Sequence, residues 1–128
     1  MKEIEFVGTV FTGEGEGKKF LEQPWVDAQI QEKLGFKAHS GTLNVRLSKD
    51  TTNLRELLVK KKTLEILPSP GYGRGLLFKA WIAETECGIV VPQVEKYPDN
   101  MLEVIAPFNL RERFQLRNGS QIRIVVAI

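Results

Sequence analysis

Ile4-Glu5-Phe6-Val7-Gly8-Thr9-Val10-Phe11 puts Ile4, Phe6 and Val10 on one face of an extended chain, and a three-glycine stretch, Gly13-Glu14-Gly15-Glu16-Gly17-Lys18, follows directly. A period of two marks a strand with one buried face, because successive side chains of an extended chain point to opposite sides. The C-terminal run repeats the pattern, with Ile122, Ile124, Val126 and Ile128 alternating with Arg123 and Val125. Between the two runs the spacing predicts strands over residues 43–47, 63–67, 76–83, 88–91 and 102–106. Short strands separated by turn signals, with few helical intervals, predict a mainly β fold closed as a small barrel rather than a doubly wound sheet.

Helices are expected at three places. Pro24 suits a first helical turn, Val26, Ile30 and Leu34 recur at four-residue spacing, and Gly35 stands just beyond, which together read as a punctuated helix packed on the barrel. Leu54, Leu57 and Leu58 make an apolar stripe over residues 53–59, and residues 109–114 form a third short helix. After it, Asn118-Gly119 offers the positive φ angles of a tight turn into the last strand.

The bulk numbers narrow the class. A chain of 128 residues can bury a core without disulfide or metal staples, and residues 1–128 are expected to form a single domain, with no repeat, low-complexity segment or linker. A hydrophobic content of 42% and a charged content of 27% exclude disordered and fibrous classes. The net charge is only +2. The basic run Lys60-Lys61-Lys62 has no interleaved aromatic residues, which argues against a nucleic-acid partner. One cysteine, Cys87, and one histidine, His39, exclude an internal disulfide and a zinc site built from thiolates and imidazoles. No apolar stretch approaches the roughly 20 residues of a membrane span. Met1-Lys2-Glu3 lacks the apolar core of a signal peptide. A cytoplasmic monomer with no membrane partner is the expectation.

Three clusters could carry chemistry. Glycines at 13, 15 and 17 strip side chains from one loop, so that its backbone N–H groups can approach an anion such as phosphate; the other reading is a flexible hairpin end kept in solvent by Glu14 and Glu16. In Gly41-Thr42-Leu43-Asn44-Val45, alternation puts Thr42 and Asn44 on one face, where a hydroxyl and an amide oxygen suit Mg²⁺, a hard cation that takes oxygen ligands. The alternative is the polar face of an exposed strand. Glu103 interrupts the apolar run 102–106, and Phe108, Asn109, Leu110 and Arg111 lie where a chain leaves a strand and starts a helix, a common place for ligand contacts. A capped helix with Asn109 at its N-cap and Arg111 in solvent is the competing reading.

The order and separation of these clusters resemble the archaeal CTP-dependent riboflavin kinases over essentially the whole chain. The resemblance is carried by Gly8-Thr9-Val10 leading into residues 13–18, by Leu34-Gly35-Phe36, by Gly41-Thr42-Leu43-Asn44-Val45, by Tyr97-Pro98, and by Leu102-Glu103 through Arg111. It implies a six-stranded cradle-loop type β-barrel with a few short helices. It also implies a phosphotransferase that moves the γ-phosphate of CTP to the ribityl 5′-hydroxyl of riboflavin, giving FMN and CDP with Mg²⁺ as cofactor. By matching position, Gly13, Glu14, Gly15, Glu16, Gly17 and Lys18 would hold the CTP phosphates, and Phe108, Asn109, Leu110 and Arg111 the rest of the nucleotide, at its cytosine end. Thr42 and Asn44 would be the Mg²⁺ ligands, while Glu95 and Glu103 would face the flavin. Glu103 is also the one candidate general base by residue type, although a loose phosphoryl-transfer transition state makes little demand for one.

Two positions depart from the family pattern. Glu95 stands two residues before Tyr97-Pro98, where the family has a threonine that contacts the flavin, and Lys19 stands where an aromatic residue is common. Glu95 keeps open a CTP-dependent kinase of a different small-molecule alcohol. A non-catalytic barrel that binds nucleotide or nucleic acid is the third reading. Elsewhere, His39 is expected at the surface and Cys87 as a buried small hydrophobe. Trp25 and Trp81 are expected in core packing rather than on a flavin ring. Residues 68–75, with Arg74, read as a mobile loop.

Overall fold

The computed structural model describes residues 2–13, 15–51, 53–61, 64–67, 75–93 and 100–128, with the side chains of Glu16 and Asp50 set aside. The elements run β1 (Glu3–Phe11), α1 (Glu16–Leu21), α2 (Pro24–Leu34), β2 (Leu43–Leu47), a 3₁₀ turn (Lys49–Thr51), α3 (Asn53–Lys61), β3 (Leu64–Ile66), β4 (Gly75–Ile82), β5 (Thr85–Pro92), β6 (Met101–Ile105), α4 (Leu110–Phe114) and β7 (Gln121–Ala127). The segments holding Arg74 and Glu95, with Tyr97-Pro98, lie outside the described residues.

Six strands pair antiparallel in the order β4-β5-β6-β2-β1-β7, and β7 returns to β4 through Ala80↔Val126 and Trp81↔Val125. The sheet therefore closes into the expected six-stranded barrel. Strand β3 stands outside the closure: one edge of β4 is shared, with residues 75–77 pairing β3 and residues 80–81 pairing β7. Inside, Val10, Val45, Phe78, Ile89, Val104 and Ile124 are among the alternate residues that fill the barrel. Cys87 joins them, and its burial, with Glu86 beside it adding a smaller push, raises the thiol to about 12.

A second core lies on the outer face. Val26, Ile30 and Leu34 of α2 and Leu21 of α1 pack on Ile66, Leu77, Val90 and Ile105, the outward residues of β3 to β6. The reading of α2 is met in detail: Pro24 opens it and Gly35 closes it at φ 83°, its N–H donating to the Gln31 carbonyl. Side chains of α2 also cap the free edge of β3, where unpaired backbone groups invite association. The Gln29 amide accepts from Leu67 N–H at 2.7 Å and donates to Leu67 C=O at 3.0 Å, while the Lys33 ammonium donates to Glu65 C=O.

Several expectations need correction. Strand β5 begins at Thr85, not residue 88, because Thr85 and Glu86 pair Ile82 and Trp81 across a two-residue turn made by Ala83 (φ 47°) and Glu84 (φ 66°). Neither is a usual residue for positive φ, so no turn signal marks the hairpin. Helix α3 runs two residues beyond the predicted end, and the 3₁₀ turn was not anticipated. Of Asn118-Gly119, only Gly119 takes positive φ, at 93°. Trp25 meets its expectation, since it is half-buried against the outer core and edge-on to Phe20 at 6.0 Å. Trp81 is half-buried too, and it lines an outer concavity rather than the core. Among the described residues no helix is long and apolar enough to cross a membrane.

Candidate functional site

The register of five strand pairs builds a single lateral row across the outside of the barrel. Phe11 of β1 faces Asn44 of β2, Asn44 faces Glu103 of β6, Glu103 faces Val90 of β5, and Val90 faces Leu77 of β4, which faces Leu64 of β3. From β3 to β5 the row is apolar and lies under α1 and α2. From β6 to β2 it turns polar. Directly opposed residues have Cβ atoms about 5 Å apart, so the Asn44 amide and the Glu103 carboxyl are neighbours by construction. Thr42, two residues before Asn44, shares its face and donates its hydroxyl proton to Glu103 Oε1 at 2.7 Å. Glu103 is 1% exposed and the only polar residue of the described set that is fully buried.

The glycines meet this cluster from above. A Cβ added at Gly13 would lie 2.6 Å from Asn44 Oδ1, and one at Gly17 would lie 1.8 Å from Glu103 Oε1 and 2.8 Å from Thr42 Oγ1. The backbone at Gly13 and at Gly17 thus rests on Asn44, Thr42 and Glu103 with no room for a side chain. This corrects the loop reading of residues 13–18. Gly15 is an N-cap at φ 85°, and Glu16, Gly17 and Lys18 form the first turn of α1, with Lys18 exposed. Glycine inside a helix costs about 1 kcal/mol relative to alanine, so propensity points away from helix here. Packing against Glu103 overrides it. Glu14 lies outside the described residues.

The third cluster reaches the same end of the barrel. Asn109 is the N-cap of α4, its side-chain oxygen accepting from Glu112 N–H at 3.1 Å, as the capped-helix reading expected. Arg111 is not in solvent. Its Nη2 donates to Phe11 C=O at 3.3 Å and to Asn118 Oδ1 at 2.9 Å, and Asn118 also bonds Thr12. Arg111 thereby ties α4 and the 118–119 turn to the residues leading into Gly13. Leu110 is buried in the barrel core, so only its backbone can meet a ligand. The Phe108 ring is half-buried beneath the Arg113 guanidinium at 4.5 Å. A cavity of about 110 Å³ between these elements is lined by Ser40, Thr42, Ala106, Phe108, Asn109 and Arg111, among others. Exposed His39 borders it and is held by its N–H to Ala106 C=O at 2.7 Å.

The sequence gives no sign of Thr12 or Arg46 at the site, and it marks Asn118 only as a turn residue. Arg46 lies over the Phe11 ring at 4.3 Å, beside Asn44 on the same strand face. None has a local signal of a role at the site, since each gains its partner from a distant segment. A larger concavity of about 740 Å³, bordered by Trp81, Phe114, Val125, Glu5 and Arg123, lies away from all of these groups. Its lining includes none of Thr42, Asn44, Glu103, Asn109 or Arg111.

The donor set fits a hard cation that arrives with its own ligands. Among the described residues no three His, Cys, Asp or Glu side chains come together, so no all-protein cage is available. Two neutral oxygens, Thr42 Oγ1 and Asn44 Oδ1, suit Mg²⁺, which keeps waters and phosphate oxygens in its shell.

The chain is similar to known proteins over nearly its whole length. A family model labelled CTP-dep_RFKase, and described as domain of unknown function DUF120, matches residues 10–126. A riboflavin kinase of Methanospirillum hungatei is 36% identical over 99% of this chain and 59% of its own length. One from Methanococcoides burtonii is 35% identical over 96% of this chain and 57% of its own length. A third, from Ignicoccus hospitalis, is 32% identical over 98% of this chain and 72% of its own length. The chain therefore spans less than two thirds of the first two of these relatives.

Proposed function

The chain belongs to the CTP-dependent riboflavin kinase family, and from that premise we propose that it transfers the γ-phosphoryl group of CTP to the 5′-hydroxyl of riboflavin, giving CDP and FMN. The observation that carries this reading is the convergence of Gly13 and Gly17 on Asn44, Thr42 and Glu103. A backbone without side chains stands directly over a pair of neutral oxygen ligands, an arrangement suited to a metal-bound triphosphate.

In the proposed complex the N–H groups of the first turn of α1, which have no intrahelical partners, face the phosphates together with the Gly13 backbone. Thr42 and Asn44 would hold Mg²⁺, which would supply positive charge against the phosphate oxygens. The Asn109 oxygen accepts at the α4 cap, and its NH₂ would donate to the acceptor edge of cytosine, with backbone groups of residues 108–111 completing that contact. Arg111 keeps this nucleotide end attached to the glycine segment. Catalysis is then mainly positioning and charge neutralisation. The bond from the γ-phosphorus to the CDP oxygen breaks, a bond to the ribityl oxygen forms, and the hydroxyl proton leaves to solvent.

The test is incubation of the chain with Mg²⁺, riboflavin and either CTP or ATP, with FMN and nucleoside diphosphate resolved by chromatography. CTP-dependent FMN formation is the expected result. CTP binding without any FMN would overturn riboflavin as acceptor and favour another alcohol, as Glu95 suggests.

A further inference from the structure

We infer that Glu103 acts through Thr42, as the residue that aims the Thr42 hydroxyl at the cation, a role distinct from the flavin contact that the resemblance implies. The inference rests on the proposed metal–nucleotide reading. A threonine hydroxyl has one proton and two lone pairs. Here the proton is spent on Glu103 Oε1 at 2.7 Å, so toward the site Thr42 can present only lone pairs. A hydroxyl held in this way can ligate a cation but cannot donate to a phosphate oxygen. Left free to rotate, it would do both.

Two further observations show that the contact is built in. Glu103 is 1% exposed, and burying a carboxyl without partners is unfavourable, so its place on the outer row needs a reason. Gly17 supplies the room: any Cβ there would fall 1.8 Å from the same Oε1 atom. The carboxyl is thus wedged between α1 and Thr42, with its acceptor oxygen fixed on the hydroxyl. Partners of this kind, one bond removed from a metal, typically change metal affinity by about 10–100-fold when lost.

The role separates reach from charge. Glu103→Gln keeps the side-chain length and an oxygen that accepts the Thr42 proton; Glu103→Asp keeps the acid group but withdraws it by one methylene. The experiment titrates Mn²⁺ into each full-length variant with CDP present, read by electron paramagnetic resonance so that no turnover is needed, and measures FMN affinity in parallel. Circular dichroism checks that each variant folds. Aiming of Thr42 predicts that Glu103→Gln keeps most of the Mn²⁺ affinity, that Glu103→Asp loses about tenfold or more, and that the loss disappears in a Thr42→Val background. The reverse ranking would make charge the operative property, and unchanged Mn²⁺ affinity with weakened FMN binding would leave Glu103 a flavin contact alone; either overturns the inference. If instead Thr42→Val and Asn44→Ala both leave Mn²⁺ affinity intact, the failure lies in the metal site itself, and the proposed nucleotide reading falls with it.

Discussion

Gly17→Ala inverts an ordinary rule. At an exposed helical position the change stabilises by about 1 kcal/mol, because alanine is the better helix former. At position 17 the new methyl would lie 1.8 Å from Glu103 Oε1, 2.5 Å from its Cδ and 2.8 Å from Thr42 Oγ1. Ordinary contact needs about 3.5 Å, so the carboxyl or the helix must move by more than an ångström. A 2.7 Å hydrogen bond does not survive such a shift. Overpacking costs about 1–3 kcal/mol, and losing a buried bond to a carboxyl costs about 1.5–3 kcal/mol. Set against the gain in propensity, a net destabilisation of about 1.5–5 kcal/mol is expected, together with a large fall in FMN formation. Urea unfolding of wild type and variant measures the first and the coupled kinase assay the second. Gly15→Ala is the control: open space surrounds Gly15, so only its φ of 85° penalises the change. A Gly17→Ala protein as stable and active as wild type would refute the close seating of α1 on Glu103.

Thr42→Ala and Asn44→Ala are each expected to lower FMN formation by orders of magnitude with unfolding midpoints little changed; normal turnover in both would remove the assigned metal site. Arg111→Ala releases the tie to Phe11 and Asn118, so KM for CTP should rise by more than KM for riboflavin in steady-state kinetics, and an equal rise in both would contradict the proposed position of the nucleotide. For Cys87, the folded thiol at about 12 lies above the ordinary 9.0, so the unfolded chain loses its proton first. Its contribution to stability is present in full below pH 9 and is lost as pH rises toward 12. Urea midpoints measured across that window should fall less steeply in Cys87→Ala, and identical slopes would show that the thiol is not shielded.

Much of the framework was legible locally. Alternation marked β1 and β7, short runs between turn signals marked the other described strands, and β2 matches its predicted bounds because Leu43, Val45 and Leu47 point inward while Asn44 and Arg46 do not. Pro24 and Gly35 marked α2 because backbone restriction acts within one or two residues. Thr42 and Asn44 could be placed on one face for the same reason. Helix α1 escaped notice because its glycine content contradicts its conformation, and the carboxyl that explains Gly17 is 86 residues away in sequence. Arg111 was read as solvent-facing in the capped-helix alternative, since nothing near it indicates Phe11 or Asn118.

By itself the sequence determined which segments are strands, which faces they bury, and that oxygen ligands and bare backbone both exist in the chain. These are properties of period and composition, settled by neighbours one to four residues apart. Only the tertiary structure decided that β2 lies between β1 and β6, which sets Asn44 opposite Glu103 and brings Thr42 within 2.7 Å of its carboxyl. It also decided that α1 covers them. The physical reason is register: closing the barrel fixes which residues of distant strands face one another, and a slip of one residue would turn Glu103 to the other face of the sheet.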